Sequence, residues 1–186
     1  MSAVSTLKYL YRSLLSSPKE ERQLYRAVSR LKAKRILEVG VQQGTRAGRL
    51  LQVARCFYER NAIHYVGVDL FETRPVEQPG LTLKQAHQLL RPLAGKIYLL
   101  PGDPLSALER VVNHMAATDL VVISADQDQE SLQRAWFYVP RILHDASEVF
   151  LAEDAQGEDQ VKYHRLSRLE ILSLAKKSGG VRRRAA

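Results

Sequence analysis

Short apolar runs and amphipathic stretches alternate along this chain. Leu7, Leu10, Tyr11, Leu14 and Leu15 fall on one face of a helix. A second helix is expected from Ser17-Pro18. Proline would sit in its first turn, Glu20 and Glu21 near the positive end of its dipole, and Leu24, Ala27, Val28 and Leu31 on its apolar face. Ile36 to Val39 reads as a buried strand. The helix after it, with Ala47, Leu50, Leu51, Ala54 and Phe57 on one side, should run to about Glu59. Further strands are expected at Tyr65 to Leu70, Lys96 to Leu100, Leu120 to Ile123 and Val149 to Ala152.

The segments between these strands have helical spacing. Thr82 to Leu93 would turn Leu83, Ala86, Leu89 and Leu90 inward. Leu105 to Met115 follows Asp103-Pro104, a cap and first-turn proline. Glu130 to Leu143 would bury Leu132, Ala135, Trp136 and Val139, with an interruption at Pro140. Thr73 to Gly80, with Pro75 and Pro79, reads as a mobile loop, and Gln156 to Gln160 as a polar one. A last helix from Leu166 to Ala175 should end at Gly179-Gly180, with an edge strand from Val181 onward.

Strands separated by helices predict an α/β fold: a doubly wound, mostly parallel Rossmann-like sheet covered on both faces, with N-terminal helices. Residues 1–34 are expected to form a helical extension packing on the core, and residues 35–186 the ligand-binding domain. Ligands in such sheets bind at the carboxyl ends of the strands. The positions to watch are therefore Gly40 to Thr45, Asp69 to Glu72, Gly102 to Pro104, Ser124 to Asp128 and Glu153-Asp154.

The turn after the first strand carries the sharpest signal. Glycines at 40 and 44 allow the backbone to bend and approach a ligand. A helix opening near Thr45 would point free N–H groups at that ligand. A dinucleotide fingerprint needs Gly-x-Gly-x-x-Gly, but the positions after Gly40 fall on Gln42 and Thr45. A phosphate-binding P-loop needs Gly-Lys-Ser/Thr, and Gly44 is followed by Thr45-Arg46. What remains is Glu38-x-Gly40-x-x-x-Gly44, and with it the sequence resembles the class I S-adenosylmethionine (SAM) methyltransferases.

The resemblance covers about Arg35 to Gly180. It implies that the glycine loop lies against the amino-acid part of SAM and that Glu38 helps hold its ammonium end. Asp69 would accept the ribose hydroxyls, Leu70 and Phe71 would face the adenine, and Asp103 would meet the adenine amino group. As alternatives, Asp69 caps the next segment and Asp103 caps the next helix. Within the class, the chain looks like the small-molecule O-methyltransferase branch related to catechol O-methyltransferase, many of whose members use a divalent metal. There the pattern departs. Ser124, Ala125 and Gln127 stand where that branch carries its metal aspartate, a glycine and a histidine. Asp126 and Asp128 are displaced, and Glu153 and Asp154 match the second ligand position only as adjacent loop acids. A divalent metal is therefore not expected. Asp126 and Asp154 are the catalytic candidates, and Glu153 and Asp154 the metal candidates.

Composition narrows the partners. At 186 residues the chain can bury a core without disulfides, and its single cysteine, Cys56, cannot form an internal one. No apolar run suits a membrane span or secretory leader, so a cytoplasmic location without membrane contact is expected. The net charge of +8 gathers near Arg22 to Arg35 and at the C-terminus, which leaves nucleic acid open without favouring it. None of the five histidines has metal-ligand spacing with another. Three readings stand: SAM-dependent methyl transfer to a small-molecule acceptor, a catalytically degenerate relative serving as a SAM- or nucleoside-binding or assembly module, and an RNA-directed protein. The N-terminal helices also fit a homodimer contact.

Overall fold

A computed structural model describes residues 19–154 and 161–184. The expected helix over residues 7–15, the helix start at Ser17-Pro18 and the loop over 156–160 lie outside these residues. A 3-10 turn, Lys19–Glu21, leads into α1 (Arg22–Leu31), which buries Leu24, Tyr25, Ala27 and Val28. Lys32 closes α1 with φ 48°. The N–H groups of Lys32 and Ala33 donate to the carbonyls of Ser29 and Val28, satisfying helix-end acceptors.

Six strands form one sheet: β1 (Arg35–Val39), β2 (His64–Asp69), β3 (Lys96–Pro101), β4 (Thr118–Ile123), β5 (Leu143–Asp154) and β6 (Val161–Leu166). Their order is β3-β2-β1-β4-β5-β6. All neighbours are parallel except β5 and β6. The intervening helices are α2 (Thr45–Ala54), α3 (Leu83–Leu90), α4 (Pro104–Val111), α5 (Gln129–Ala135), α6 (Val139–Ile142) and α7 (Arg168–Arg184). The doubly wound, mostly parallel sheet read from the sequence is borne out.

Both faces are covered because successive strand side chains point opposite ways. Ile36, Tyr65, Leu120, Val122 and Phe150 pack with Leu24, Tyr25 and Val28 of α1 and Leu50 and Leu51 of α2. Leu37, Val39, Val66, Val68, Val121 and Ile123 form the other face with Leu108, Trp136, Val139, Ile142 and Ile171. Glu38 lies between Leu37 and Val39, so its side chain points to the α1–α2 face. Among the described residues, no helix is long and apolar enough to cross a membrane.

Several boundaries differ from expectation. The helix expected to reach Glu59 ends at Ala54. Leu89 is 45% exposed rather than inward, because it leans over Gly44 instead of joining Ala86 and Leu90. The helix expected over residues 130–143 is two helices, and Pro140 sits in the first turn of the second, where its missing N–H costs nothing. β6 has no counterpart among the expected strands, since only Tyr163 on it is buried, and the last helix starts at Arg168 instead of Leu166. Gly179-Gly180 do not end the last helix, and among the described residues the segment expected as an edge strand from Val181 is helical: α7 runs on to Arg184. Ser178 Oγ donates to the Arg134 carbonyl at 2.7 Å and the Phe137 ring lies beside Gly179, so packing carries the helix past the glycines.

Candidate strand-end site

The strand order reverses between β1 and β4, and the loop after β1 lies at that point. Three loop residues take left-handed backbone: Gly40 (φ 90°), Gln42 (φ 53°) and Gly44 (φ 69°). The glycines accept this geometry freely, whereas Gln42 carries strain. Sequence reading missed Gln42, since nothing in its neighbours marks a non-glycine left-handed residue. The loop is fixed by Gly40 N–H to Val68 O (2.8 Å), Ser124 N–H to Val39 O (2.8 Å) and Gly44 N–H to Val41 O (2.9 Å). α2 starts at Thr45 with Gly44 as its cap and no side-chain cap bond, so its dipole ends on the loop.

Glu38 is buried beneath this loop. Its Oε1 accepts Arg46 Nε and its Oε2 accepts Tyr65 Oη, each at 2.6 Å. Arg46 has three further bonds: Nη1 to Tyr163 Oη (2.6 Å), and Nη2 to Gly40 O (2.6 Å) and Ser124 Oγ (2.5 Å). Ser124 Oγ also donates to Gly40 O at 3.0 Å. Burial would lower the Arg46 guanidinium, but Glu38 and Tyr163 hold it above its ordinary value as a permanent cation. Burial pushes the Glu38 carboxyl up, while Arg46 and Tyr65 pull it down. Nearby, Tyr25 and Arg49 both bond Glu21, tying α1 to α2. Gly40 has no room on its side-chain face: a Cβ there would stand 2.6 Å from Gln127 Nε2 and from Ser124 Cβ.

Asp69 ends β2 and is 4% exposed. Oδ2 accepts Gln42 N–H at 2.6 Å, and Oδ1 accepts Phe71 N–H at 3.3 Å. Oδ1 also meets Nη2 of Arg74, an ion pair the sequence reading did not anticipate. Leu70 is half-buried and Phe71 buried, Phe71 packing with Val41 and Ala86. Leu81 N–H donates to Gln42 O at 2.9 Å, so the chain after Arg74 returns over the glycine loop. A Cβ on Gly44 would stand 2.9 Å from Leu81 Cδ1 and 2.7 Å from Leu89 Cδ2.

Asp103 caps α4, as its sequence position also suggested. Oδ1 accepts the N–H groups of Leu105 (3.0 Å) and Ser106 (3.2 Å), and the hydroxyls of Ser106 and Ser131 complete the set. Burial raises its pKa, but these bonds outweigh it and hold the carboxyl down at about 2. Across the switch point, Asp126 is exposed and accepts Gln127 Nε2 at 2.8 Å, while Asp128 caps α5 through Ser131 N–H. Glu153 pairs with His164 at 3.2 Å. Asp154 closes β5 in backbone register with Val161.

Ser124, at the expected ligand position, is bonded to a guanidinium, which repels a cation. Among the described residues, no three His, Cys, Asp or Glu side chains converge as a metal needs. The fit to SAM is better. The left-handed glycines, the α2 N-terminus and a buried carboxylate at the β2 end stand together at the switch point. Beyond the β4 and β5 ends lies a cavity of about 550 Å³ between α5 and α7. Its floor is Leu132, Trp136, Leu151 and Leu174, its rim includes Glu153 and Lys177, and Ser124 joins it to the glycine loop.

No protein-family model matches the sequence, and no curated protein matches it either. Among solved structures, the fold is similar to the O-methyltransferase TomG from Streptomyces achromogenes in complex with SAM. That match has a TM-score of 0.57 and 13% identity, covering 96% of this chain and 77% of that one. It is also similar to an O-methyltransferase from Bacillus cereus bound to S-adenosylhomocysteine (SAH), with a TM-score of 0.56 and 13% identity over 97% of this chain and 79% of that one. At these identities the likeness establishes the fold, which is that of the class I methyltransferases.

Proposed function

We propose that this protein binds SAM across the ends of β1 and β2 and transfers its methyl group to a small-molecule acceptor without a divalent metal. The observation that carries this reading is the joint placement of the Gly40–Gly44 loop, the α2 N-terminus and Asp69 at the point where strand order reverses. When bound, SAM supplies an electrophilic methyl on a sulfonium. The chain's own part is to hold both partners in line, which by itself contributes much of such a rate. Asp69 would take the ribose hydroxyls, and Leu70 and Phe71 the adenine. The cavity floored by Trp136 and Leu132 suits an apolar or aromatic acceptor, with Lys177 and Glu153 for its polar groups. Arg46 fixes a positive charge at Ser124, which supports transfer without a metal.

A second reading has its own support. Arg46 occupies Glu38 and the Gly40 carbonyl, the two acceptors a ligand ammonium would use. That favours a degenerate relative which keeps a nucleoside seat and has lost transfer. Calorimetric titration with SAM and SAH decides whether the cleft is a SAM site: binding that Asp69→Ala abolishes supports both readings, and none at millimolar ligand refutes them. Turnover of any phenol, amine or sugar acceptor with SAM then selects the first.

A further inference from the structure

Asp69 and Arg74 form a buried ion pair that leaves one of its members unsatisfied. The Arg74 side chain is only 8% exposed, yet its Nε has no hydrogen-bond partner. An unpaired buried donor carries a penalty of roughly 1–3 kcal/mol. Nη1 reaches only the Pro79 carbonyl, at 3.4 Å. The guanidinium is pressed against Gly80, where a Cβ would stand 2.6 Å from Nε. The segment from Arg74 to Leu81 is pinned at its far end by Leu81 N–H on Gln42 O, and next to that by Leu83 N–H on Glu72 Oε1 at 2.8 Å. Between Arg74 and Leu81 it is exposed, with Val76 98% accessible.

The acceptor count at Asp69 shows what this arrangement does. A carboxylate offers about four lone-pair positions. Gln42 N–H takes one on Oδ2, and Phe71 N–H and Arg74 take those on Oδ1. A ribose diol that donates to both oxygens therefore needs the position Arg74 holds. Resting on the reading that this cleft binds an adenosyl ligand, we propose that Arg74 is an internal competitor for the ribose seat. It latches the Arg74–Leu81 strap over the glycine loop until a ribose diol displaces it from Asp69. The orphaned Nε makes that displacement favourable, because the released guanidinium regains water on every donor.

The proposal reverses the usual expectation for a charged residue in a binding cleft. Removing Arg74 should tighten binding, since the apparent affinity rises by the inverse of the open fraction. Titration with SAH and with adenosine should show both binding about tenfold tighter to Arg74→Ala than to the unmodified protein. 2′,3′-Dideoxyadenosine, which has no diol, should gain nothing. Gly80→Ala provides a second route, since the added methyl pushes the guanidinium off Asp69 while leaving its charge in the chain, and it should tighten SAH in the same direction. If the unmodified protein binds SAH and both variants bind it equally or more weakly, the latch is refuted and the SAM site stands. If dideoxyadenosine gains as much as adenosine, Arg74 is a steric plug and the diol competition is wrong. If neither the unmodified protein nor either variant binds SAH or adenosine, the adenosyl site and the latch fall together.

Discussion

Two carboxylates at neighbouring strand ends each meet an arginine, and the two pairs do different work. Glu38 and Arg46 lie under the glycine loop, where Arg46 reaches four acceptors on residues from Glu38 to Tyr163. Four elements of the fold depend on that one guanidinium: β1, the loop, the end of β4 and β6. Asp69 and Arg74 are as deeply buried, but Arg74 comes from an exposed strap and keeps an orphaned nitrogen. A fully bonded pair is a fixture of the core, and a partly bonded one on a loop is displaceable. The presence of an ion pair does not separate these cases; the count of satisfied donors does.

The most damaging way to test the fixture is Arg46→Ala. It strands the buried Glu38 carboxylate without its counter-ion and takes the Arg46 partner from the Tyr163 hydroxyl, so a loss of about 3–5 kcal/mol is expected in urea unfolding. Combining Arg46→Met with Glu38→Leu should recover much of it, and a loss below roughly 1 kcal/mol for the single change would erase the distinction. Next in size, Gly40→Ala forces a side chain into left-handed backbone against Ser124 and Gln127, for about 1–3 kcal/mol by the same measurement. Arg74→Ala should cost less than Arg46→Ala, about 1–2 kcal/mol, because the strap can open and hydrate Asp69. Equal losses from the two arginines would collapse the comparison.

The smallest effect concerns the third strand-end acid, Asp103, which is bonded by hydroxyls and amides instead of an arginine. Asp103→Ala should cost about 1 kcal/mol as a lost helix cap. Its carboxyl is held below the ordinary 3.8, at about 2, so its contribution is present above pH 4 and disappears as pH falls toward 2. The difference in unfolding free energy between Asp103→Ala and the unmodified protein should therefore be constant near neutrality and shrink across that acid range. A difference that grows on acidification would contradict the bonding described for this cap.

Much of the fold was legible because apolar periodicity is a local signal. Ile36 to Val39 and Leu120 to Ile123 are strands for the reason their runs suggested, and Asp103-Pro104 starts a helix as a cap and proline should. β6 was not legible: Lys162, His164 and Arg165 face solvent, and only pairing with β5 makes the segment a strand. The course of α7 through two glycines also depends on contacts with Phe137 and Arg134 that lie far off in sequence. At the candidate site, the glycine positions and the acids at strand ends could be read directly. The arginines bonded to two of those acids could not, because neither Arg46 nor Arg74 stands out among so many basic residues.

The sequence by itself determined the first five strands and the helices that alternate with them, and the chemical inventory of each strand end. These follow from spacing, capping and backbone preference, which act over a few residues. Only the tertiary structure decided the partners of that inventory. Whether Glu38 and Asp69 face a ligand or a guanidinium depends on side chains arriving from α2, β6 and the strap after β2. Such contacts are set by how the elements pack and how buried charges are compensated, and no local pattern encodes them.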